Sequence, residues 1–155
     1  MSKISVLMSV YKKENPEYLR ASLESILVQT RTADEILLIE DGPLTQELYQ
    51  VVAEYQKKCD YLHVHAMEQN VQLGRALAKG VELCKYDLIA RMDTDDIAMP
   101  DRLEKEGAYM EAHPEVDVVG GAIREFNDEG TIDRVKNMPK TQEEILEYVK
   151  VRNPL

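Results

Sequence analysis

Apolar residues fill nearly every position of Ile4-Ser5-Val6-Leu7-Met8-Ser9-Val10. A strand reads this way when both of its faces are covered. The polar stretch from Tyr11 to Asn15 predicts a loop. Asn15-Pro16 then predicts a helix start, an N-cap followed by proline at the first helical position. Leu19, Leu23, Ile26 and Leu27 recur behind it at helical spacing. Glu35-Ile36-Leu37-Leu38-Ile39 predicts a second buried strand, ended by the turn Glu40-Asp41-Gly42-Pro43. Leu48, Val51, Val52 and Tyr55 mark a second helix. The alternating Leu62-His63-Val64-His65-Ala66 predicts a third strand nearer a sheet edge. Leu73, Ala76, Leu77 and Val81 mark a third helix. A fourth strand, expected to be buried, begins at Leu88 and runs straight into Asp93-Thr94-Asp95-Asp96. Strands alternating with helices over short connections predict an α/β fold built on a doubly wound, mostly parallel sheet.

Beyond the acids, Pro100 is expected to start a helix carrying Leu103 and Met110. The apolar run from Val116 to Ile123 predicts a fifth strand. Asn127-Asp128-Glu129-Gly130 is a turn signal, so Arg124 to Val135 is expected to form a hairpin. Thr141-x-x-Glu144 is a capping box that opens a last helix with Ile145, Leu146 and Val149. The pattern stops at Asn153-Pro154-Leu155 with no terminating feature, which reads as a chain cut short.

The composition narrows the picture. The chain has 155 residues, 44% of them hydrophobic and 31% charged, which suits one globular domain with a real core. The formal net charge of −10 argues against a nucleic-acid polymer as partner, because a phosphate backbone needs a basic footprint. It leaves room for a single nucleotide whose charge a metal offsets locally. Cys59 and Cys84 stand in no metal-binding spacing, and each follows a predicted helix; reduced thiols are expected. No run approaches the roughly 18 apolar residues of a membrane span, and no signal-peptide core precedes the first strand. The reading is a cytoplasmic chain, with the inner face of a membrane as an alternative.

Candidate chemistry gathers at one edge. In open α/β sheets, ligands bind outside the carboxyl ends of the strands. Ser9 and Tyr11 follow the first strand, Glu40 and Asp41 the second, and Asp93, Asp95 and Asp96 the fourth. If the backbone stays extended, Asp93 and Asp95 point to the same side, with Cβ atoms roughly 6 to 7 Å apart, while Thr94 and Asp96 point the other way. A hard divalent cation is the simplest occupant of such a cluster; capping of the following helix would need only one acid. An EF-hand loop starting at Asp93 fails, because Ile97 and Ala98 stand at its fifth and sixth positions. A haloacid-dehalogenase-type phosphatase, with Asp93 as nucleophile, is a weaker alternative. Its motif wants Thr or Val where Ile97 stands. Neither a Walker A sequence nor Gly-x-Gly-x-x-Gly is present.

The chain also resembles a family. Residues Ser5 to Tyr11, Leu23-Glu24-Ser25-Ile26-Leu27-Val28-Gln29-Thr30, Glu35 to Gly42, Ile89 to Leu103 and Pro114 to Gly121 are together similar to the N-terminal, donor-binding half of inverting family-2 glycosyltransferases. The resemblance implies the Rossmann-like A-type fold of those enzymes, present here as a single donor-binding domain, 1–155, truncated at the C-terminus and without the acceptor half. It implies that Asp95, with Asp93, ligates Mn²⁺ or Mg²⁺ bridging the diphosphate of a nucleotide sugar. Asp93 would also contact the ribose or sugar. Asp41 would accept a hydrogen bond from the base, most often uracil, and Ser9, Val10 and Tyr11 would line the base and ribose pocket. Arg91 would reach the donor or pair with the acids. The acceptor would be a glycan or lipid-linked hydroxyl in cell-surface polysaccharide synthesis, attacked with the help of a carboxylate base. Glu125, Asp128 and Asp133 are acids in the right half of the chain, but their spacing nominates none of them. The sequence departs from the family at Gln72, where Gly allows a tight backbone approach, at Ala78, where Asn is common, and at Glu40, where Asp is frequent. A non-catalytic nucleotide-sugar-binding fragment is the second reading.

Overall fold

The computed structural model describes residues 2–127 and 132–151. They fall into two compact units, Met1–Glu111 and Ala112–Leu155.

The first unit holds the predicted βα alternation. Strands β1 (Ile4–Val10), β2 (Glu35–Glu40), β3 (Leu62–Ala66) and β4 (Leu88–Asp93) alternate with helices α1 (Pro16–Leu27), α2 (Gln46–Lys58) and α3 (Leu73–Leu83), and α4 (Arg102–Ala112) follows. The four strands form one parallel sheet in the order β3-β2-β1-β4. The chain therefore winds outward from β1 to β3, then returns to place β4 on the other side of β1. That reversal is the topological switch point at which ligands bind such sheets.

The helices cover both faces. Ile4, Val6, Met8 and Val10 of β1 pack with Leu19, Leu23 and Ile26 of α1, with Leu48, Val51, Val52 and Tyr55 of α2, and with Leu103 of α4. Leu7, Leu37 and Ile39 point to the opposite face and meet Ala76 of α3. This two-sided burial is why β1 and β2 read as near-continuous apolar runs. Helix α1 begins as its sequence predicts: the Asn15 side chain accepts from the Glu17 N–H at 2.8 Å, with Pro16 at the first position. Cys59 and Cys84 are free thiols at the C-caps of α2 and α3.

Three expectations for this unit need correction. The fourth strand is not a buried one: β4 lies at the edge of the sheet, and only Met92 along it is buried. Helix α4 starts at Arg102 rather than Pro100. The acids do not continue the strand. β4 ends at Asp93, and Thr94 and Asp95 form a turn.

The second unit contains β5 (Ile123–Phe126) and β6 (Asp133–Lys136), an antiparallel pair with Arg124 opposite Val135, followed by α5 (Gln142–Tyr148). The hairpin is where the turn signal placed it; Asp128, Glu129 and Gly130 of that turn lie outside the described residues. The capping box is formed, with the Glu144 N–H donating to the Thr141 hydroxyl at 3.3 Å and the Thr141 N–H to the Glu144 carboxylate at 3.2 Å. The predicted fifth strand over 116–123 is absent. Residues 116–122 join no ladder, Val118 is 61% exposed, and pairing begins only at Ile123. An apolar run signals a strand only where a neighbour completes its hydrogen bonds.

Candidate functional site

The sheet register brings three strand ends level. Ser9 of β1 pairs with Asp93 of β4, and Val10 pairs with Glu40 of β2. Adjacent strands lie about 4.8 Å apart, so the ends of β2 and β4 face each other across β1 at about 10 Å. Ser9, Tyr11, Asp41, Asp93 and the acids after it thus share one carboxyl edge, at the switch point.

On the β4 side, Asp93, Asp95 and Asp96 each offer a carboxylate oxygen within 4.8 Å of the others. This revises the expectation that Asp96 faces away. The turn at Thr94–Asp95 is closed by the Asp96 N–H donating to the Asp93 carbonyl at 3.4 Å, and it swings Asp96 round to join its neighbours. Thr94 is the residue that points inward. It is buried, and its hydroxyl lies 2.7 Å from the Glu14 carboxylate and 3.3 Å from the Ser9 carbonyl. Glu14 therefore supports the turn from the β1–α1 loop, a contact that nothing in its sequence position announces. Asp95 and Asp96 are exposed rather than shielded from water, and Asp93 is half-buried.

The charge balance favours a cation. The Asp96 carboxyl is raised above its ordinary range, by partial desolvation and then by the negative charges of Asp93 and Asp95; Arg91 and Arg102 oppose the rise. Because the residue is open to solvent, the mutual repulsion is what bears on ligand binding. Arg91 hydrogen-bonds a carboxylate oxygen of Asp93, so it is paired within the cluster. Three hard oxygen donors, convergent and mutually repelling, suit a divalent ion such as Mn²⁺ or Mg²⁺.

On the β2 side, Asp41 is buried and its carboxylate is engaged. The Val71 N–H donates to one oxygen at 2.6 Å and the Asn70 side-chain amide to the other at 2.8 Å. Each oxygen keeps one lone pair for a further donor. Gly42 follows at φ +84°, and a Cβ there would sit 2.6 Å from the Asn70 backbone nitrogen. The β2–α2 and β3–α3 loops are thus locked together at a contact only glycine permits. Gln72 itself holds φ +74°, a backbone region that favours glycine. Glu40 sits beside this lock at 6% exposure. Burial raises its carboxyl above the ordinary range, and among the described residues its side chain has no hydrogen-bond partner.

Ser9 is half-buried, and Tyr11 is 44% exposed at the edge. Val10 differs: its side chain is fully buried in the core under α1 and α2, and its carbonyl accepts the Asp41 N–H at 2.8 Å. Its side chain lines no open pocket.

In the second unit, the candidate bases are already occupied. Glu125 is hydrogen-bonded by Lys136 and Arg134, which hold its carboxyl below the ordinary range. Arg124 grips both oxygens of Asp133 at 2.6 and 2.7 Å and lowers it likewise. A carboxylate held this way is a poor proton acceptor. Asp128 lies outside the described residues.

Comparisons with known proteins identify the family and the fold. The sequence model of glycosyl transferase family 2 matches residues 5–154. The amylovoran biosynthesis glycosyltransferase AmsE of Erwinia amylovora is 43% identical over 150 residues, 97% of this chain and 56% of that protein. A UDP-Gal:alpha-D-GlcNAc-diphosphoundecaprenol beta-1,3-galactosyltransferase of Escherichia coli is 35% identical, over 98% of this chain and 55% of its own length. Among solved structures, the mannosyltransferase PcManGT of Pyrobaculum calidifontis, in complex with GDP-Man and Mn²⁺, superposes with a TM-score of 0.66 at 14% identity. That match covers 80% of this chain and 36% of the other and shows the shared A-type fold. The chain spans about half the length of the curated relatives it matches. A family match over nearly the whole chain, on a parallel sheet whose strand ends carry these acids, shows that the chain belongs to glycosyltransferase family 2.

Proposed function

We propose that this chain binds the donor in a metal-dependent, inverting glycosyltransferase that moves a sugar from a nucleoside diphosphate to an acceptor hydroxyl. The observation that carries the reading is the convergence of Asp93, Asp95 and Asp96 within 4.8 Å at the switch point of the sheet, level with Ser9 and across β1 from Asp41. Family membership displaces the phosphatase alternative.

Asp95 and Asp93 would hold Mn²⁺ or Mg²⁺, with Asp96 as a third oxygen donor within reach. The bound ion supplies Lewis-acid stabilisation of the charge that builds on the departing diphosphate. The nucleoside lies along the edge toward β2. There Ser9 and Tyr11 border it, and Asp41 offers its remaining lone pairs to a base N–H. Arg91 shields Asp93 and stands next to the diphosphate. In transfer, the acceptor oxygen bonds the anomeric carbon as the bond to the diphosphate oxygen breaks. The hydroxyl proton passes to a carboxylate base; Glu125 and Asp133, already paired with arginine and lysine, are poor proton acceptors for that role. A UDP-sugar donor is supported by the galactosyltransferase relative, and a role in surface polysaccharide assembly by that enzyme together with AmsE.

Because the chain covers only about half of those relatives, a second reading stands beside the first: these residues bind donor and ion without completing transfer. Both readings predict binding. At a hundred times Kd, UDP with Mn²⁺ stabilises the fold by about 2.7 kcal/mol, a rise in thermal midpoint of roughly 5–10 °C for a chain of this size. Asp95→Ala should abolish that rise while leaving the ligand-free midpoint nearly unchanged. A rise that survives Asp95→Ala contradicts the placement of the metal. A transfer assay then separates the two readings.

A further inference from the structure

Helix α1 and the residues just past its end bury three polar side chains. Ser22 is 0%, Ser25 6% and Gln29 7% exposed. Ser22 and Ser25 lie three residues apart on one face of α1, and Gln29 follows two residues past the helix end. Each reaches into the segment between β4 and α4. The Ser22 hydroxyl donates to the Asp93 carbonyl at 2.9 Å. The Ser25 hydroxyl accepts the Ala98 N–H at 3.0 Å and donates to the Ser22 carbonyl at 2.7 Å. The Gln29 amide donates to the Met99 carbonyl at 2.7 Å and to the Ser25 carbonyl at 2.9 Å, and its oxygen accepts the Leu103 N–H at 3.0 Å. The Thr30 N–H completes the row on the Pro100 carbonyl at 2.8 Å.

Residues 94–101 belong to neither a strand nor a helix. Their backbone groups have no ladder, and buried groups must find partners elsewhere. Helix α1 and the two residues after its C-cap supply those partners at both ends of the segment that carries Asp95 and Asp96. The need is electrostatic as well. Three carboxylates within 4.8 Å repel one another and would spread on a loose backbone.

We propose that Ser22, Ser25 and Gln29 are positioning residues for the metal site, fixing the backbone on which Asp93, Asp95 and Asp96 converge and so setting the affinity for the ion without touching it. This rests on the reading of those acids as the metal ligands. It gives a purpose to the α1 stretch of the family resemblance, which donor binding alone leaves unexplained.

The test uses the whole chain and two readouts, Mn²⁺ affinity by titration and amide exchange over residues 94–97 without metal. Ser25→Ala and Gln29→Met remove the bonds to α1 outside that window. Leu19→Ala on α1 and the milder Val51→Ala on α2 lower stability without touching the segment. All variants are compared at a temperature where each remains folded by circular dichroism. The expected result is Mn²⁺ binding weakened at least tenfold and faster exchange over 94–97 in Ser25→Ala and Gln29→Met, with both controls like the wild type. If these variants bind Mn²⁺ as the wild type does, or the controls lose as much, the positioning role is overturned and the metal site stands. If the wild type binds no Mn²⁺, the metal site falls and the proposal with it.

Discussion

Gln72 and Glu40 adjoin Val71 and Asp41 in the chain, and each carries a local cost. Gln72 holds φ +74° and ψ 153° at the start of α3, with no side-chain capping bond to compensate. A non-glycine residue there costs about 1–3 kcal/mol. Gln72→Gly should therefore raise stability, by about 1 kcal/mol once the greater freedom of glycine in the unfolded chain is counted. Urea midpoints check this; a loss of stability would mean that the Gln side chain contributes more than the strain removes. Glu40 is costly through its charge. Burial raises its folded-state pKa, so the folded protein holds this proton more tightly than the unfolded chain does. Below about pH 4 both states are protonated and no penalty exists. The penalty begins as the pH rises past the ordinary glutamate pKa and is complete only above the raised folded-state pKa. Glu40→Gln should thus stabilise the protein at pH 7, with the gain vanishing toward pH 4 in paired unfolding curves.

At the scale of elements, α1 and α2 are joined by a charged network with the opposite sign. Arg20 and Lys58 hydrogen-bond Glu54 and lower its carboxyl to about 2. The folded-state pKa is depressed, so the network stabilises above the ordinary glutamate pKa and is lost as the pH falls toward 2. Glu54→Gln should lower the midpoint at neutral pH and match the wild type at the acid end. Beneath this network, Leu38→Ala in the fully buried β2 should cost about 2–5 kcal/mol. Elements fixed by local chemistry were legible in the sequence. Asn15-Pro16, Thr141 with Glu144, and the apolar runs of β1 and β2 each carry their own signal. Elements that depend on a distant partner were not. The run at 116–123 has strand composition but no ladder, and the edge position of β4 follows from strand order, which no periodicity encodes. The site divides the same way. Its acids are visible as residues, whereas the turn that gathers Asp96, the Glu14 contact to Thr94 and the grip of Asn70 on Asp41 arise only when separate loops meet. The buried Ser22 and Ser25 did leave a trace, as polar residues on the apolar face of a helix.

For the whole molecule, the fold and the family support the proposed donor binding. The net charge of −10 makes the ion central, because an acidic chain that gathers three of its carboxylates at this edge repels a diphosphate unless a cation intervenes. The most direct measurement is a calorimetric titration of the whole chain with UDP, in Mn²⁺ and again in EDTA, for the wild type and Asp95→Ala. The account predicts binding by the wild type in Mn²⁺ alone, with no measurable heat in EDTA or for Asp95→Ala. UDP binding of equal strength in EDTA, or no UDP binding by the wild type with Mn²⁺ present, would contradict it.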